Sequence, residues 1–235
     1  MIDRILVALD VETRDEALRL ADTLRGSVGG FKIGSRLFTA EGPSMVRALT
    51  ERGDRVFLDL KFHDIPNTVA TAVAAAAGLG VWMINVHASG GTAMMLAARN
   101  AAHETAAKHN LTPPLVIAVT VLTSMSQKAL AETGVPIDLI DQVLRLAELT
   151  REAGLDGVVA SPRETSAIRR RCGAEFAIVT PGIRGGAAAA TKDDQERTMS
   201  PSEAVAAGAS YLVIGRPILS AADPREAALR IGGAI

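Results

Sequence analysis

The sequence predicts a closed (β/α)8 TIM barrel, and three observations predict it. Short runs rich in Val, Ile and Leu alternate with longer amphipathic segments, eight times. The runs are short and dominated by Val, Ile and Leu, as strands buried on both faces are. Polar residues gather just past the C-terminal ends of these runs, where barrels of this kind carry their chemistry. An open doubly wound sheet is the competing architecture, but eight repeats within 235 residues favour closure. No linker or composition shift divides the chain, so residues 1–235 read as a single domain.

The strand runs are Ile5–Leu9, Phe31–Ile33, Val56–Leu60, Val81–Val86, Leu115–Leu122, Gly157–Val159, Phe176–Val179 and Tyr211–Ile214. Between them lie helical patterns. Ala17, Leu20, Ala21 and Leu24 form one apolar stripe. Thr13 with Glu16, Ser161 with Glu164, Ser200 with Glu203 and Asp223 with Glu226 have capping-box spacing or its Asp variant. Pro162, Pro201 and Pro224 fall at first helical positions, where a missing N–H costs little. The Ala-rich stretch from Thr71 to Val86 is broken by Gly78 and Gly80 and reads as helix, turn and strand rather than a membrane span.

Composition removes several function classes. Net charge is −1 and aromatics are 3%, so neither a global positive field nor a stacking platform exists for nucleic acid. The single cysteine, Cys172, excludes an internal disulfide and a cysteine-rich zinc site, and a cytoplasmic chain is expected. Met1-Ile2-Asp3-Arg4 runs into a strand without a signal-peptide layout. Four scattered histidines offer no metal-ligand spacing. His103 and His109 read as helix-surface residues, and Arg169-Arg170-Arg171 as a solvated helix end.

The densest chemistry lies at Asp59-Leu60-Lys61-Phe62-His63-Asp64. Unpaired charge is costly to bury, so this set belongs where water or a ligand reaches it. Two carboxylates around one ammonium would hold Lys61 protonated and aimed. Asp10, Lys32, His87, Thr123, Arg184 and Gly215-Arg216 fall at the ends of other strands and complete a convergent ring. His87 reads equally as pocket lining or packing, and Thr123 reads as a pocket residue with a strand-end cap as its alternative. A phosphate pattern follows the last two strands: Thr180-Pro181-Gly182-Ile183-Arg184-Gly185-Gly186 and Gly215-Arg216-Pro217. Glycines let backbone N–H groups approach an anion, and Arg216 can add a bidentate contact. The polar, Gly/Ala-rich stretch from Arg184 to Arg197 has the composition of a closing lid.

Asp59-Leu60-Lys61-Phe62-His63-Asp64-Ile65-Pro66-Asn67-Thr68 resembles the active-site motif of the orotidine 5′-phosphate decarboxylase family in its bacterial form. The resemblance runs the length of the chain. It includes Ala8-Leu9-Asp10, Phe31-Lys32-Ile33-Gly34, Val86-His87-Ala88 and Val119-Thr120-Val121-Leu122-Thr123-Ser124. It continues through Thr180-Pro181-Gly182-Ile183-Arg184, Lys192-Asp193-Asp194-Gln195 and Ile214-Gly215-Arg216-Pro217-Ile218. The Asp-x-Lys-x-x-Asp core alone is shared with a wider superfamily of phosphate-binding barrels. The continuation into Ile65-Pro66-Asn67-Thr68 is more specific.

The resemblance implies loss of CO2 from orotidine 5′-monophosphate to give uridine 5′-monophosphate, with neither metal nor organic cofactor. It implies an alternating charge array of Lys32, Asp59, Lys61 and Asp64, with Lys61 the proton donor to C6. It implies a homodimer in which Asp64 and Thr68 cross into the partner's site. Asp10 and Lys32 would bind the ribose, and Thr123 the pyrimidine edge. Pro181, Arg184, Gln195, Gly215 and Arg216 would line the nucleotide and phosphate subsite. The stretch Gly185–Thr191 is longer than the pattern expects, which loosens the register of Gln195. A magnesium-dependent sugar-phosphate decarboxylase or synthase of the same superfamily is the nearer rival. It would need an acidic ligand near strand two, where the chain offers Lys32 and no carboxylate until Glu41. A non-catalytic nucleotide-binding barrel is the more distant rival, with no need for Lys61.

Overall fold

Eight parallel strands close on themselves in sequence order, each hydrogen-bonded to the next and the last to the first. The structure, a computed structural model, describes residues 2–183 and 199–235. Strands β1 (Ile5–Ala8), β2 (Gly30–Gly34), β3 (Val56–Phe62) and β4 (Met83–His87) form the first half. Strands β5 (Leu115–Val119), β6 (Gly157–Val159), β7 (Ala177–Thr180) and β8 (Tyr211–Ile214) form the second. Around them lie α1 (Arg14–Leu24), α2 (Ser35–Glu41), α3 (Pro43–Thr50), α4 (Pro66–Ala77), α5 (Gly91–His109) and α6 (Gln127–Glu132). The ring continues with α7 (Leu139–Glu152), α8 (Thr165–Cys172), α9 (Pro201–Ala206), α10 (Arg216–Leu219) and α11 (Pro224–Gly233).

The alternation of side chains along each strand divides the core in two. Leu6, Ala8, Phe57, Met83, Ile117, Val119, Val159, Val179 and Val213 fill the barrel interior. Their neighbours, such as Ile5, Val7, Ile33, Leu58, Ile84 and Val158, pack outward on the helices. Most strand positions are therefore buried on both faces, which is why the strands read as largely apolar runs, with polar residues concentrated toward the C-terminal end of β3.

The eight sequence runs each contain the corresponding strand or most of it, but several ends shift. β3 continues to Phe62, through an irregularity between Leu58 and Phe62 where its register with β4 slips. β5 stops at Val119 although Val121 and Leu122 extend the apolar run. The caps at Thr13, Ser200 and Asp223 form, each side chain accepting the N–H three residues on. Ser161 departs from expectation. The chain first makes a turn, so α8 begins at Thr165 rather than at Pro162, and the Glu164 carboxylate accepts the Ser161 N–H at 3.0 Å. The arginine run also departs. Arg170 and Arg171 are exposed, but Arg169 is half-buried and donates to the carbonyls of Gly173, Ala174, Phe176 and Gly208 and to Ser210 Oγ. Cys172 is buried, and burial pushes its thiol up.

Gly157 is fixed by close approach. A Cβ on Gly157 would lie 2.1 Å from the Ala177 carbonyl oxygen, and a backbone atom cannot swing aside. Gly157→Ala is expected to cost about 3 kcal/mol by overpacking between β6 and β7, seen as a lowered urea midpoint.

Candidate active site

The C-terminal mouth of the barrel gathers the charges. β2 carries Lys32, only 8% exposed, and β3 carries Asp59 and Lys61. Lys32 Nζ lies 3.2 Å from Asp10 Oδ1 and 3.5 Å from Asp59 Oδ2. Lys61 Nζ lies 2.6 Å from Asp59 Oδ1. The four groups therefore run Asp10, Lys32, Asp59, Lys61, with alternating sign. Gly34 makes room for this chain, since a Cβ there would come within 2.9 Å of Lys32 Nζ and 3.4 Å of Asp10 Oδ1.

Asp59 is the centre of the array. Burial on its own pushes its carboxyl up, but the ammonium groups of Lys32 and Lys61 and hydrogen bonds from Lys61 and Asn85 outweigh it. The net result is a carboxyl held below the ordinary aspartate range, ionised at neutral pH. Lys61 itself sits in the left-handed region at φ 54°, where a non-glycine residue costs about 1–2 kcal/mol. Such strain persists only where surrounding contacts hold it. Here the Lys61 N–H donates to Asn85 Oδ1 at 2.8 Å.

His87 ends β4 and its ring lies 5.4 Å from that of His63, centroid to centroid, at an interplanar angle of 34°. Burial holds its imidazole below the ordinary value, helped by His63 and Lys61 and opposed by Asp59. The ring is thus a neutral wall beside the ammonium. Folding disfavours the protonated imidazole, so below pH 6.5 the unfolded chain binds the proton more readily. Stability is expected to fall as pH drops below 6.5, levelling off once the folded-state ring also titrates. Urea midpoints measured across that window, with a flatter profile for His87→Gln, check this.

The expected carboxylate on the far side of Lys61 is not there within one chain. Asp64 is exposed, and its Oδ1 accepts the Ile65 N–H at 2.7 Å. No ion pair joins it to Lys61 among the described residues. Thr68, in the first turn of α4, is exposed as well. Thr123 follows β5 at the mouth, partly buried, and Pro181 follows β7, also partly buried. Gly215 precedes α10, its Cα side facing Ala8 and Asp10 Oδ2, and Arg216 opens that helix. Arg184 and Gln195 lie outside the described residues, as does the stretch read as a lid.

Sequence reasoning missed Asn85. It is fully buried in β4, and its Nδ2 donates to Asp59 Oδ1 at 2.7 Å. One polar residue inside the run Met83-Ile84-Asn85-Val86 was its only signal.

Comparisons with known proteins place the chain in a family. The family described as Orotidine 5′-phosphate decarboxylase / HUMPS matches residues 3–231. A protein of Moorella thermoacetica named orotidine 5′-phosphate decarboxylase is 56% identical over 234 residues, 99% of this chain and 92% of that one. A protein of the same name from Syntrophotalea carbinolica is 54% identical, covering 97% of this chain and 93% of that one. The crystal structure of orotidine 5′-phosphate decarboxylase from Lactobacillus acidophilus superposes with TM-score 0.87 at 34% identity, over 98% of this chain and 97% of that one. A family match over nearly the whole length, close relatives of full-length coverage and a shared closed barrel lead to one conclusion: the chain belongs to the orotidine 5′-phosphate decarboxylase / HUMPS family.

Proposed function

We propose that this protein decarboxylates orotidine 5′-monophosphate to uridine 5′-monophosphate, the last step of pyrimidine nucleotide synthesis. The observation that carries the reading is the alternating array, with Lys61 Nζ 2.6 Å from Asp59 Oδ1 and Lys32 Nζ 3.5 Å from Asp59 Oδ2. The C6–carboxylate bond breaks with its electron pair left on C6, in an in-plane orbital that the ring delocalises poorly. CO2 leaves, and the Lys61 ammonium gives its proton to C6. Before transfer, that ammonium stabilises the developing negative charge from a fixed position, which is where preorganised electrostatics acts most strongly. Asp59 keeps Lys61 charged and aimed. It also lies beside the substrate carboxylate, whose repulsion is relieved as CO2 departs.

Asp10 and Lys32 bind the ribose hydroxyls, and Thr123 the pyrimidine edge. Pro181, Arg184, Gln195, Gly215 and Arg216 form the nucleotide and phosphate subsite. Binding energy from the remote phosphate is used to close the site and so appears in kcat as well as KM. Asp64 and Thr68 act in a partner's site across a homodimer interface. Their exposure in a single chain supports this, as does Ile65 between them, 66% exposed. A cytoplasmic location follows from the biosynthetic role. Among the described residues no helix is long and apolar enough to cross a membrane.

The magnesium-dependent sibling reaction fits the site less well. Its cation would have to sit among the mouth carboxylates, and the Lys32 ammonium already bridges Asp10 and Asp59. The test is the loss of ultraviolet absorbance of orotidine 5′-monophosphate with purified protein in excess EDTA. Conversion to the uridine nucleotide is expected at an undiminished rate. Activity appearing only with sugar phosphates and magnesium would overturn the reading.

A further inference from the structure

Asn85 lies in the middle of β4, 0% exposed, between the buried Ile84 and Val86. An unpaired amide at such a depth is strongly disfavoured, so both of its ends need partners. Both have them. Oδ1 accepts the Lys61 N–H at 2.8 Å, and Nδ2 donates to Asp59 Oδ1 at 2.7 Å. The partners fix which way the amide faces, because a backbone N–H can only donate and an ionised carboxylate can only accept.

We propose that Asn85 is a positioning residue for the decarboxylation, aiming the Lys61 ammonium through its main chain and setting the plane of the Asp59 carboxylate. The inference rests on the functional reading above. It falls at the place where the β3–β4 register slips, between Leu58 and Phe62. There Asn85 supplies the acceptor for Lys61, whose backbone turns left-handed at φ 54°. That turn decides where the Lys61 side chain starts from. On the other side, Asp59 Oδ1 receives both Lys61 Nζ and Asn85 Nδ2, while Oδ2 faces Lys32. Three donors on two oxygens leave the carboxylate no free rotation. Asn85 adds its donor without adding charge, so the balance of two ammonium and two carboxylate groups is kept. An apolar residue would offer neither bond, and a serine would be too short to span both partners.

Steady-state turnover of orotidine 5′-monophosphate by native protein, Asn85→Leu and Asn85→Asp tests this. For Asn85→Leu, kcat is expected to fall about 100-fold through misplacement of the reacting groups. KM should stay within about threefold, because ribose and phosphate are held elsewhere. Binding of uridine 5′-monophosphate should persist. Asn85→Asp gives the sharper readout. The introduced carboxyl would face Asp59 and Lys61 on β3 and Lys32 on β2, with Asp10 beyond Lys32 and His87 on its own strand. Protonated, it presents a carbonyl oxygen to the Lys61 N–H and an O–H to Asp59, as the amide does. Ionised, it repels Asp59. Its kcat relative to native protein is therefore expected to rise as pH is lowered, by up to about tenfold per pH unit for the single proton involved.

A merely structural asparagine would lower the melting temperature and leave kcat per folded molecule unchanged, with a flat ratio against pH; that result overturns the proposal. If Asn85→Leu does not fold, the Asn85→Asp profile decides alone, and a flat ratio again overturns it. Native protein inactive on orotidine 5′-monophosphate would instead overturn the functional reading, and the positioning role with it.

Discussion

Lys61→Ala is expected to lower kcat by about 10⁴-fold or more, because in the proposed mechanism one group supplies both the proton and the charge that stabilises C6. Affinity for uridine 5′-monophosphate should be kept, since the ribose and phosphate contacts are proposed for other residues. The fold should be kept too. Alanine occupies the left-handed region at the same cost as lysine, and Asp59 retains Lys32 and Asn85 as partners. Stopped-flow or extended-time absorbance measurements, with circular dichroism alongside, check the pair of outcomes. A variant that still turned over at the native rate would remove Lys61 from the mechanism.

Asp59→Ala is expected to damage both activity and stability, and the contrast with Lys61→Ala is informative. Removing this carboxylate leaves the buried Lys32 ammonium with Asp10 alone, whose side chain is mostly exposed. It also leaves Asn85 Nδ2 without its acceptor in the interior. Breaking a buried pair from one side costs about 3 kcal/mol, to be read from urea unfolding. Turnover is expected to fall by about 10³-fold, since Lys61 loses the partner that aims it. Loss of stability without loss of turnover would make Asp59 a structural counter-ion only.

The strands were legible because closure buries most of both their faces, so that apolar residues dominate each run. Their ends were less so. Nothing in Leu60-Lys61-Phe62 announces that pairing resumes at Phe62 after a slipped register, since that depends on β4. Val121 and Leu122 look like strand but lie beyond β5 at the mouth. The charges of the array were legible as residue types at strand ends. Spacing alone did not give their pairing, and the order Lys32, Asp59, Lys61 came only from the resemblance: Asp64, three residues from Lys61, turns to its own backbone, while Lys32, on another strand, reaches Asp59. Asn85 and the bonds of Arg169 to Gly208 and Ser210 were invisible for the same reason, because those partners are distant in sequence.

The hydrogen-bonded seams of the barrel are unequal, and this bears on how it breathes. β4 and β5 pair over five residue positions, whereas β7 and β8 pair over two, Val179 with Tyr211 and Thr180 with Leu212. Arg169 joins the loops at the N-terminal end of that short seam, bonding Phe176 before β7 and Gly208 and Ser210 before β8. Sub-global opening follows the weakest ladder first. The wall between β7 and β8 is therefore where amide exchange should outrun global unfolding, with one guanidinium as its clasp. The same two strands lead to Pro181 and Gly215, so the part of the barrel that loosens most readily is the part that leads into the proposed nucleotide subsite.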